Sequence, residues 1–352
     1  MTPPAKPLDD RAPLLLNGLP GSPYTRKMVA LLRYRRIPYR LVPSSTPLAT
    51  GPQPKPPLLP TFYLPDGDGQ LQAVTDSTPL IRRFEAEHAG RSVIPTDPAL
   101  ALIDALLEDF ADEWLTKAMF HYRWTYAADS HNAGQILACW RGAPQDDAAL
   151  ALAAQAVASR QIPRLRFVGS NPVTRPVIEA GYLRLLQALE AHLRQHRFLM
   201  GARPGASDFA FYGQLTQLTG FDVTPMALAL QHAPRVCAWT MLTEDLSGIE
   251  PADAGWLDAG RLPPTLRALL TALGRLYVPL LLANAQALAR GQTELHTRVD
   301  GQAWEQQAFP YQAKCLAWLR RDHAALPPDA RARVDAALAG TGCEALFDAP
   351  VA

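Results

Sequence analysis

The sequence has little cysteine and no excess of charge of either sign. Four of its 352 residues are cysteine, and none forms a C-x-x-C pair or clusters with histidine at zinc-ligand spacing. The sequence therefore indicates neither a disulfide framework nor a metal site. Lysine and arginine number 34 against 33 acidic residues, and a net charge of +1 offers no broad attraction to nucleic acid or anionic lipid.

Long hydrophobic runs are also absent. The N-terminus has no apolar run of the length that a signal peptide needs. The longest apolar stretch, near residues 277–288, is shorter than the ~20 residues that cross a bilayer and is interrupted by Asn284 and Gln286. These absences predict a soluble cytoplasmic protein with no membrane partner and no nucleic-acid partner.

Proline, in contrast, is abundant. Its 33 residues are about twice the average usage, and they are expected at helix starts, in loops and in one special turn. Hydrophobic residues make up 48% of the chain, which is typical of a globular protein with a large buried core. The length predicts two or three domains.

The first part of the chain alternates strands and helices. Ser22-Pro23 is a strong helix-start signal, because serine is a favoured N-cap and proline suits the first helical position. The predicted order is a βαβ unit, a proline-rich stretch over 43–57 and a ββα unit. The predicted elements are a strand at 13–18, a helix from Ser22 to near Arg36, strands at 37–42, 58–64 and 71–74, and a helix at 77–88.

From Asp97 onward the periodicity is helical. A long helix begins at Asp97-Pro98, and residues 291–309 are irregular or extended. Pro279 is expected to kink the helix that contains it. The further predicted helices are 145–160, 177–197, 207–219, 226–243, 264–289, 311–324 and 327–339.

Four motifs in this order resemble the glutathione S-transferase superfamily, in its bacterial, serine-type form. They are Ser22-Pro23-Tyr24-Thr25-Arg26-Lys27, the run Leu-Pro-Thr-Phe-Tyr-Leu-Pro-Asp-Gly at 59–67, Asp76-Ser77, and Gly-Ala-Ser-Asp-Phe-Ala-Phe-Tyr at 205–212. The resemblance covers about 13–245 and implies an α/β plus all-α fold. A thioredoxin-like, glutathione-binding domain (12–92) would precede a helical substrate domain (97–245), on which a mostly helical extension (246–352) packs.

The resemblance implies glutathione as co-substrate and activation of its thiol. A free thiol is mostly protonated at neutral pH, whereas the thiolate is the reactive form. A hydroxyl hydrogen bond at a helix N-terminus favours the anion. Ser22 is therefore the implied catalytic hydroxyl, with Tyr24 and Thr25 as alternatives, and the competing interpretation is that Ser22 only caps its helix.

The same resemblance implies a main-chain contact to the cysteinyl part of glutathione. A cis peptide bond before Pro60 would expose the amide and carbonyl of Leu59. An alternative register gives this role to Pro57. The competing interpretation of Pro60 is an ordinary trans proline at an edge strand.

The ends of glutathione would meet other residues. Asp76 and Ser77 would hold the γ-glutamyl end, with the carboxylate for its ammonium group and the hydroxyl for its carboxylate. Lys55, with Gln53 as a second candidate, would reach the glycyl carboxylate. Compared with the family's pattern, the proline-rich stretch replaces the second helix, and Gly205 replaces the usual Ser/Thr cap of the Asp208 helix.

The aromatic segment 114–126 permits two interpretations. The resemblance implies an electrophile pocket formed by Tyr24, Phe120, Tyr122 and Arg123, with Arg123 facing an anionic or carbonyl-bearing substrate. An aromatic-rich helix is also typical of a protein core. His121 is interpreted as a structural histidine.

Two functions follow. Residues 1–138 contain no cysteine, which argues against glutaredoxin-like thiol–disulfide exchange. One function is a glutathione transferase that adds the thiolate to a small apolar electrophile in detoxification. The alternative is a non-catalytic protein of the same fold that serves binding or assembly. The resemblance also implies a homodimer.

Overall fold

The computed structural model describes residues 13–44, 51–140 and 146–348. Its N-terminal part is a four-stranded sheet with two helices, in the strand order β2-β1-β3-β4. The elements are β1 (Leu14–Gly18), α1 (Pro23–Arg35), β2 (Tyr39–Pro43), β3 (Thr61–Pro65), β4 (Leu71–Val74) and α2 (Ser77–Glu87). β1 pairs parallel with β2 and antiparallel with β3, which pairs antiparallel with β4. The predicted βαβ-ββα order and the thioredoxin-like fold are confirmed.

One apolar core holds this part together. Leu16, Met28, Phe62 and Phe84 come from both helices and the sheet and are fully buried. Burial of each such side chain contributes roughly 1.5–3 kcal/mol. The peptide bond between Leu59 and Pro60 is cis, as predicted, and so is the unpredicted one between Lys55 and Pro56. Of the proline-rich stretch, residues 45–50 lie outside the described residues.

The middle of the chain is helical. A π-helical segment (Ala111–Leu115) interrupts the long first helix. The prediction of one helix over 226–243 is wrong, because Pro234 starts a new helix there. A helix at Ala127–Cys139 was not predicted. The α-helices are α3 (Pro98–Phe110), α4 (Thr116–Thr125), α5 (Ala127–Cys139), α6 (Asp147–Gln161), α7 (Arg175–His192), α8 (Ala206–Leu218), α9 (Val223–His232) and α10 (Pro234–Thr243).

In its described residues, 246–348, the C-terminal extension contains four α-helices and a β-hairpin. They are α11 (Pro264–Leu276), α12 (Val278–Ala289), β5 (Glu294–Val299), β6 (Gln302–Gln307), α13 (Pro310–Ala324) and α14 (Pro328–Leu338). The helix break falls at Tyr277, since Pro279 occupies the first turn of α12, where a missing N–H costs no bond. Asp300 and Gly301 both have positive φ, which suits the tight turn between β5 and β6.

The segment Pro264–Ala289 is long and apolar enough to cross a membrane by length and composition, and it exceeds the stretch apparent from sequence. Most of its apolar window is buried inside the protein. Its buried leucines share one continuous core with α3, α7 and α8. The segment therefore has the burial of a core element.

The start of α8 shows how the helical part compensates for a missing cap. Asp208 accepts hydrogen bonds from the amides of Gly205 (2.8 Å) and Leu199 (2.9 Å). Asp104 of α3 accepts from the amides of Ala206 and Ser207. A Cβ at Gly205 would lie 2.3 Å from the Asp104 carboxylate, so the glycine makes room for this distant cap.

Candidate functional site

The structure brings the starts of α1 and α2 to the same end of the N-terminal sheet as the turn before β3. Ser22 is the N-cap of α1, and its hydroxyl accepts from the amide of Thr25 at 3.2 Å. The same hydroxyl donates to the carbonyl of Leu59, also at 3.2 Å. Ser22 thus caps its helix and contacts the main chain that precedes Pro60, so its two proposed roles are compatible.

Asp76 is the residue before α2 and has an unusual backbone. Its φ is +83°, a region that residues with a side chain rarely adopt, and such strain concentrates at functional sites. Its carboxylate makes no capping bond to α2. It accepts instead from the hydroxyl of Tyr311, on α13, at 2.9 Å. A residue of the C-terminal extension therefore contacts the candidate γ-glutamyl position.

Ser77 is held by the buried ammonium of Lys27, which is 1% exposed. Lys27 Nζ donates to Ser77 Oγ (3.0 Å), Glu108 Oε1 (2.7 Å) and Asp112 Oδ2 (2.6 Å). These three bonds use every donor of the ammonium. Because the Ser77 oxygen accepts from Lys27, its own O–H stays available to donate to a ligand.

Two carboxylates share this single ammonium, and the pKa values of Lys27 and Asp112 are shifted. Burial lowers the pKa of Lys27, but the charges of Asp112 and Glu108 outweigh burial and hold it above its usual range. Burial raises the pKa of Asp112 to about 6; the charge of Lys27 opposes the rise and that of Glu108 adds to it. Lys27 gains from both carboxylates, whereas each carboxylate also repels the other.

Tyr24 and Thr25, the alternative hydroxyls, point into the protein. The Tyr24 hydroxyl donates to the carbonyl of Asp112 at 2.7 Å. Burial, followed by the charges of Glu113 and Asp112, raises the pKa of Tyr24 well above its usual value, so the phenol stays neutral. Thr25 is 2% exposed. Ser22 is thus the hydroxyl of the three that faces the Leu59 main chain.

The residues expected to line an electrophile pocket lie mostly in the core. Arg123 is 3% exposed and donates to both carboxylate oxygens of Asp222, at 2.8 and 2.9 Å. Its remaining nitrogen reaches the carbonyl of Gly21 at 3.2 Å. Tyr122 is 1% exposed, and Phe120 is half-buried. Binding of an electrophile by Tyr122 or Arg123 would require these side chains to be uncovered.

Helix α5 covers the loop that leads into α1. A Cβ at Gly21 would lie 2.6 Å from Leu137 and 2.7 Å from Trp140, so α5 packs closely on this loop.

The remaining predicted residues lie apart from these contacts. Lys55 and Gln53 are exposed in the loop before β3. His121 is 1% exposed and contacts Ser170 at 2.7 Å and Glu179 at 3.2 Å.

Sequence reasoning missed three kinds of contributor to this site. Lys27 belongs to the first motif, and its position on the apolar face of α1 was a usable signal for burial. Glu108 and Asp112 interrupt an apolar helical face, which signals a buried charge partner. Tyr311 has no local signal, because its partner lies more than two hundred residues earlier.

Two family models match the chain. They are described as glutathione S-transferase, N-terminal domain, over residues 16–92, and glutathione S-transferase, C-terminal domain, over residues 152–240. No curated protein sequence matches. Over these two stretches, the chain belongs to the glutathione S-transferase superfamily.

Solved structures of glutathione transferases also match, with low identity. One from Methylobacterium radiotolerans, in complex with glutathione sulfonate, is 19% identical, covers 66% of this chain and 91% of its own, and has a TM-score of 0.38. One from Rhodospirillum rubrum is 18% identical, and the match covers 73% of this chain and 92% of the other, with a TM-score of 0.40. One from Pseudomonas fluorescens, with two glutathione molecules bound, is 15% identical. The match covers 68% of this chain and 95% of the other, with a TM-score of 0.41.

Proposed function

We propose that this protein binds glutathione at the joined starts of α1 and α2 and activates its thiol for addition to a small apolar electrophile. The observation that carries the proposal is the position of the Ser22 hydroxyl, 3.2 Å from the Leu59 carbonyl at the first turn of α1. A thiolate beside this carbonyl would accept the hydroxyl hydrogen in its place. Family membership supports the ligand.

The chemistry needs only a proton and an electron pair to move. The bound thiol releases its proton to water, and the thiolate is stabilised by the Ser22 O–H and by the partial positive charge of the α1 N-terminus. The sulfur electron pair then forms a C–S bond with the electrophilic carbon. In a substitution the leaving group departs with its bonding pair; in an addition the neighbouring carbanion takes a proton from water.

The remaining site residues take the roles expected from the family. The amide and carbonyl of Leu59, before Pro60, pair with the cysteinyl main chain. Ser77 donates to the γ-glutamyl carboxylate, because Lys27 already occupies its oxygen as an acceptor. Asp76 accepts from the ammonium group, and Lys55 reaches the glycyl carboxylate.

The proposal also covers domains, location and assembly. We assign glutathione binding to residues 12–92, electrophile binding to 97–245 and a covering role to 246–352, in a cytoplasmic homodimer that acts in detoxification. Tyr24, Phe120, Tyr122 and Arg123 are the residues assigned to the electrophile. Helices α13 and α14 pack on α3, so a second subunit would meet either the extension or another face.

A non-catalytic binding or assembly role is the second candidate. It is favoured because polar groups of the candidate site already have partners within the chain: Asp76 bonds Tyr311, and Arg123 bonds Asp222. Glutathione would have to share the Asp76 carboxylate with Tyr311. A protein that uses the fold only for binding or assembly would keep both.

The test compares Ser22→Ala with Ser22→Thr, which retains the hydroxyl. Conjugation to a nitroaryl chloride should fall about 10-fold or more in the alanine variant, since one hydrogen bond to the anion is lost, while glutathione binding by calorimetry changes little. The threonine variant should retain most of the rate. Equal losses of rate and affinity would assign Ser22 a structural role, and conjugation undetectable in the wild-type protein would favour the second candidate.

A further inference from the structure

The C-terminal extension places one hydroxyl on the candidate glutathione site. Tyr311 lies in the first turn of α13, and its hydroxyl donates to Asp76 Oδ2 at 2.9 Å. Its ring packs near Phe309 and edge-on to Trp318, each at 6.4 Å between ring centroids. The ammonium of Lys314 lies over the rings of Tyr311 (5.5 Å) and Trp318 (4.3 Å). The ring is thus held by neighbours other than Asp76.

We propose that Tyr311 is a specificity-determining residue of the glutathione site, because its hydroxyl takes up part of the hydrogen-bond accepting capacity of the Asp76 carboxylate, the group that the α-ammonium of glutathione would use. The proposal rests on the proposed glutathione binding. Through Tyr311, the C-terminal extension would determine the affinity for ligands that carry a free α-amino group beside a carboxylate. Ligands without that amino group do not compete with Tyr311.

The chemistry of the pair makes it a competition. An ionised carboxylate only accepts hydrogen bonds, and a phenol and an ammonium both donate. Burial, with the nearby Cys315 and the charge of Asp76, raises the pKa of Tyr311, so the phenol keeps its proton. The carboxylate has about four lone-pair sites and can accept from both donors, but the bond from the phenol takes up part of its negative charge and so lowers its affinity for the ammonium.

Helix α13 has its own anchors, so the hydroxyl can be removed without releasing the helix. Arg82 of α2 bonds Asp322 of α13 at 2.8 Å. Gln312 donates to the buried Glu113 at 3.2 Å. Leu316 and Leu319 lie in the main core. Tyr311→Phe therefore deletes one hydrogen bond and leaves the ring and the helix in place.

The experiment titrates two ligands into three proteins by calorimetry. The ligands are glutathione and glutaryl-cysteinyl-glycine, which lacks only the α-amino group. The proteins are wild type, Tyr311→Phe and the matched control Tyr126→Phe. The Tyr126 hydroxyl donates to Glu179 at 2.6 Å, so the control also loses a phenol–carboxylate bond, away from Asp76.

Tyr311→Phe should bind glutathione about 3- to 10-fold more tightly than wild type, less than a whole hydrogen bond to a charged group is worth, because the carboxylate can accept from both donors. Its affinity for the glutaryl analogue should be unchanged, and Tyr126→Phe should match wild type for both ligands. As a second variant, Asp76→Asn should remove the preference for the amino group, so that the two ligands bind alike.

Each other result overturns the inference. An equal gain for both ligands would mean that Tyr311 only covers the site, and a loss for glutathione would make Tyr311 a ligand contact. Unchanged affinity in Tyr311→Phe, with glutathione still bound by all proteins, would overturn the inference but leave the proposed function standing. Binding of neither ligand to any variant would overturn both.

Discussion

The starts of α1 and α2 each carry a serine in the candidate site, yet the two serines are held by different forces. Ser22 is an N-cap, and the amide that it accepts from lies three residues along the same chain segment. Ser77 lies in the first turn of α2 and accepts from the ammonium of Lys27, fifty residues earlier. A local neutral bond organises the first start, and a buried ionic cluster organises the second.

This difference teaches which part of the site depends on the rest of the molecule. The hydroxyl of Ser22 contacts only its own helix and the turn before β3, although the neighbouring Gly21 and Tyr24 also contact the helical domain. The start of α2 needs α1 for Lys27 and α3 for Glu108, and it needs the π-helical segment for Asp112 and α13 for Tyr311. The γ-glutamyl end of the site is therefore coupled to the helical domain and its extension.

The strongest test of this contrast is Lys27→Met. It leaves Glu108 and Asp112 buried without their cation, and breaking such a pair costs about 3–5 kcal/mol. Urea denaturation should show this loss in the free energy of unfolding. Lys117→Met is the matched control: burial lowers the pKa of Lys117 to about 8, opposed by the charge of Glu113, and its bonds to Val168 and Gln306 are 3.3 Å long.

Lys117→Met should therefore cost clearly less than Lys27→Met. Burial, together with the charge of Asp109, raises the pKa of Glu113 to about 8, so this carboxyl can remain neutral when Lys117 is absent. Equal costs for the two lysines would contradict the view that the α2 start depends on an ionic cluster.

A pH series sharpens the contrast further. The folded-state pKa of Asp112 is raised above its unfolded value, so the native state binds protons more readily and stability declines as pH rises through about 6. The free energy of unfolding should therefore fall between pH 5 and pH 8. In Asp112→Asn that fall should be smaller, by about 1.4 kcal/mol, because between pH 5 and pH 8 the native and unfolded states differ in proton binding at Asp112 over only about one pH unit. Denaturant midpoints at the two pH values measure the difference.

Other buried acids titrate in the same direction, which is why the comparison is made between variant and wild type. Burial raises the pKa of Asp208 to about 7, for example, despite its two bonds from backbone amides. An identical slope in Asp112→Asn and wild type would show that the cluster around Lys27 carries none of the pH dependence.

The smallest effect is expected at Ser22. Its replacement by alanine removes a neutral cap and should cost about 1 kcal/mol of stability, equally at pH 5 and pH 8. Ser22→Thr keeps a capping hydroxyl and should remain near wild type. Thermal or urea unfolding at the two pH values suffices, and a cost that changes with pH would mean that the α1 start also senses the ionic cluster.

Local patterns predicted much of the fold. Ser22-Pro23 marked a helix start because capping and proline geometry act within one turn, and the alternating strands predicted the N-terminal sheet. They also predicted the cis bond before Pro60 through the family resemblance. They did not predict α5, whose sequence lacks a strong apolar stripe, or the hairpin of β5 and β6, whose strands were expected only as an irregular or extended segment.

The sequence predicted which residues lie in the candidate site, but it did not predict which partners their side chains contact. Ser22, Leu59 and Asp76 could be placed from motifs, since each motif sets its own backbone. The partner of each side chain could not be predicted. Arg123 was expected to line a pocket, but its charge is neutralised by Asp222, about a hundred residues later.

The amino-acid sequence by itself determined the order of the N-terminal strands and helices and the cap of α1, because these follow from forces between residues a few positions apart. Only the tertiary structure shows that Lys27 forms ion pairs with Glu108 and Asp112 and that Tyr311 donates a hydrogen bond to Asp76. Those contacts join segments far apart in the chain, and only the packing of the whole molecule brings a buried charge or a phenol to the partner that satisfies it.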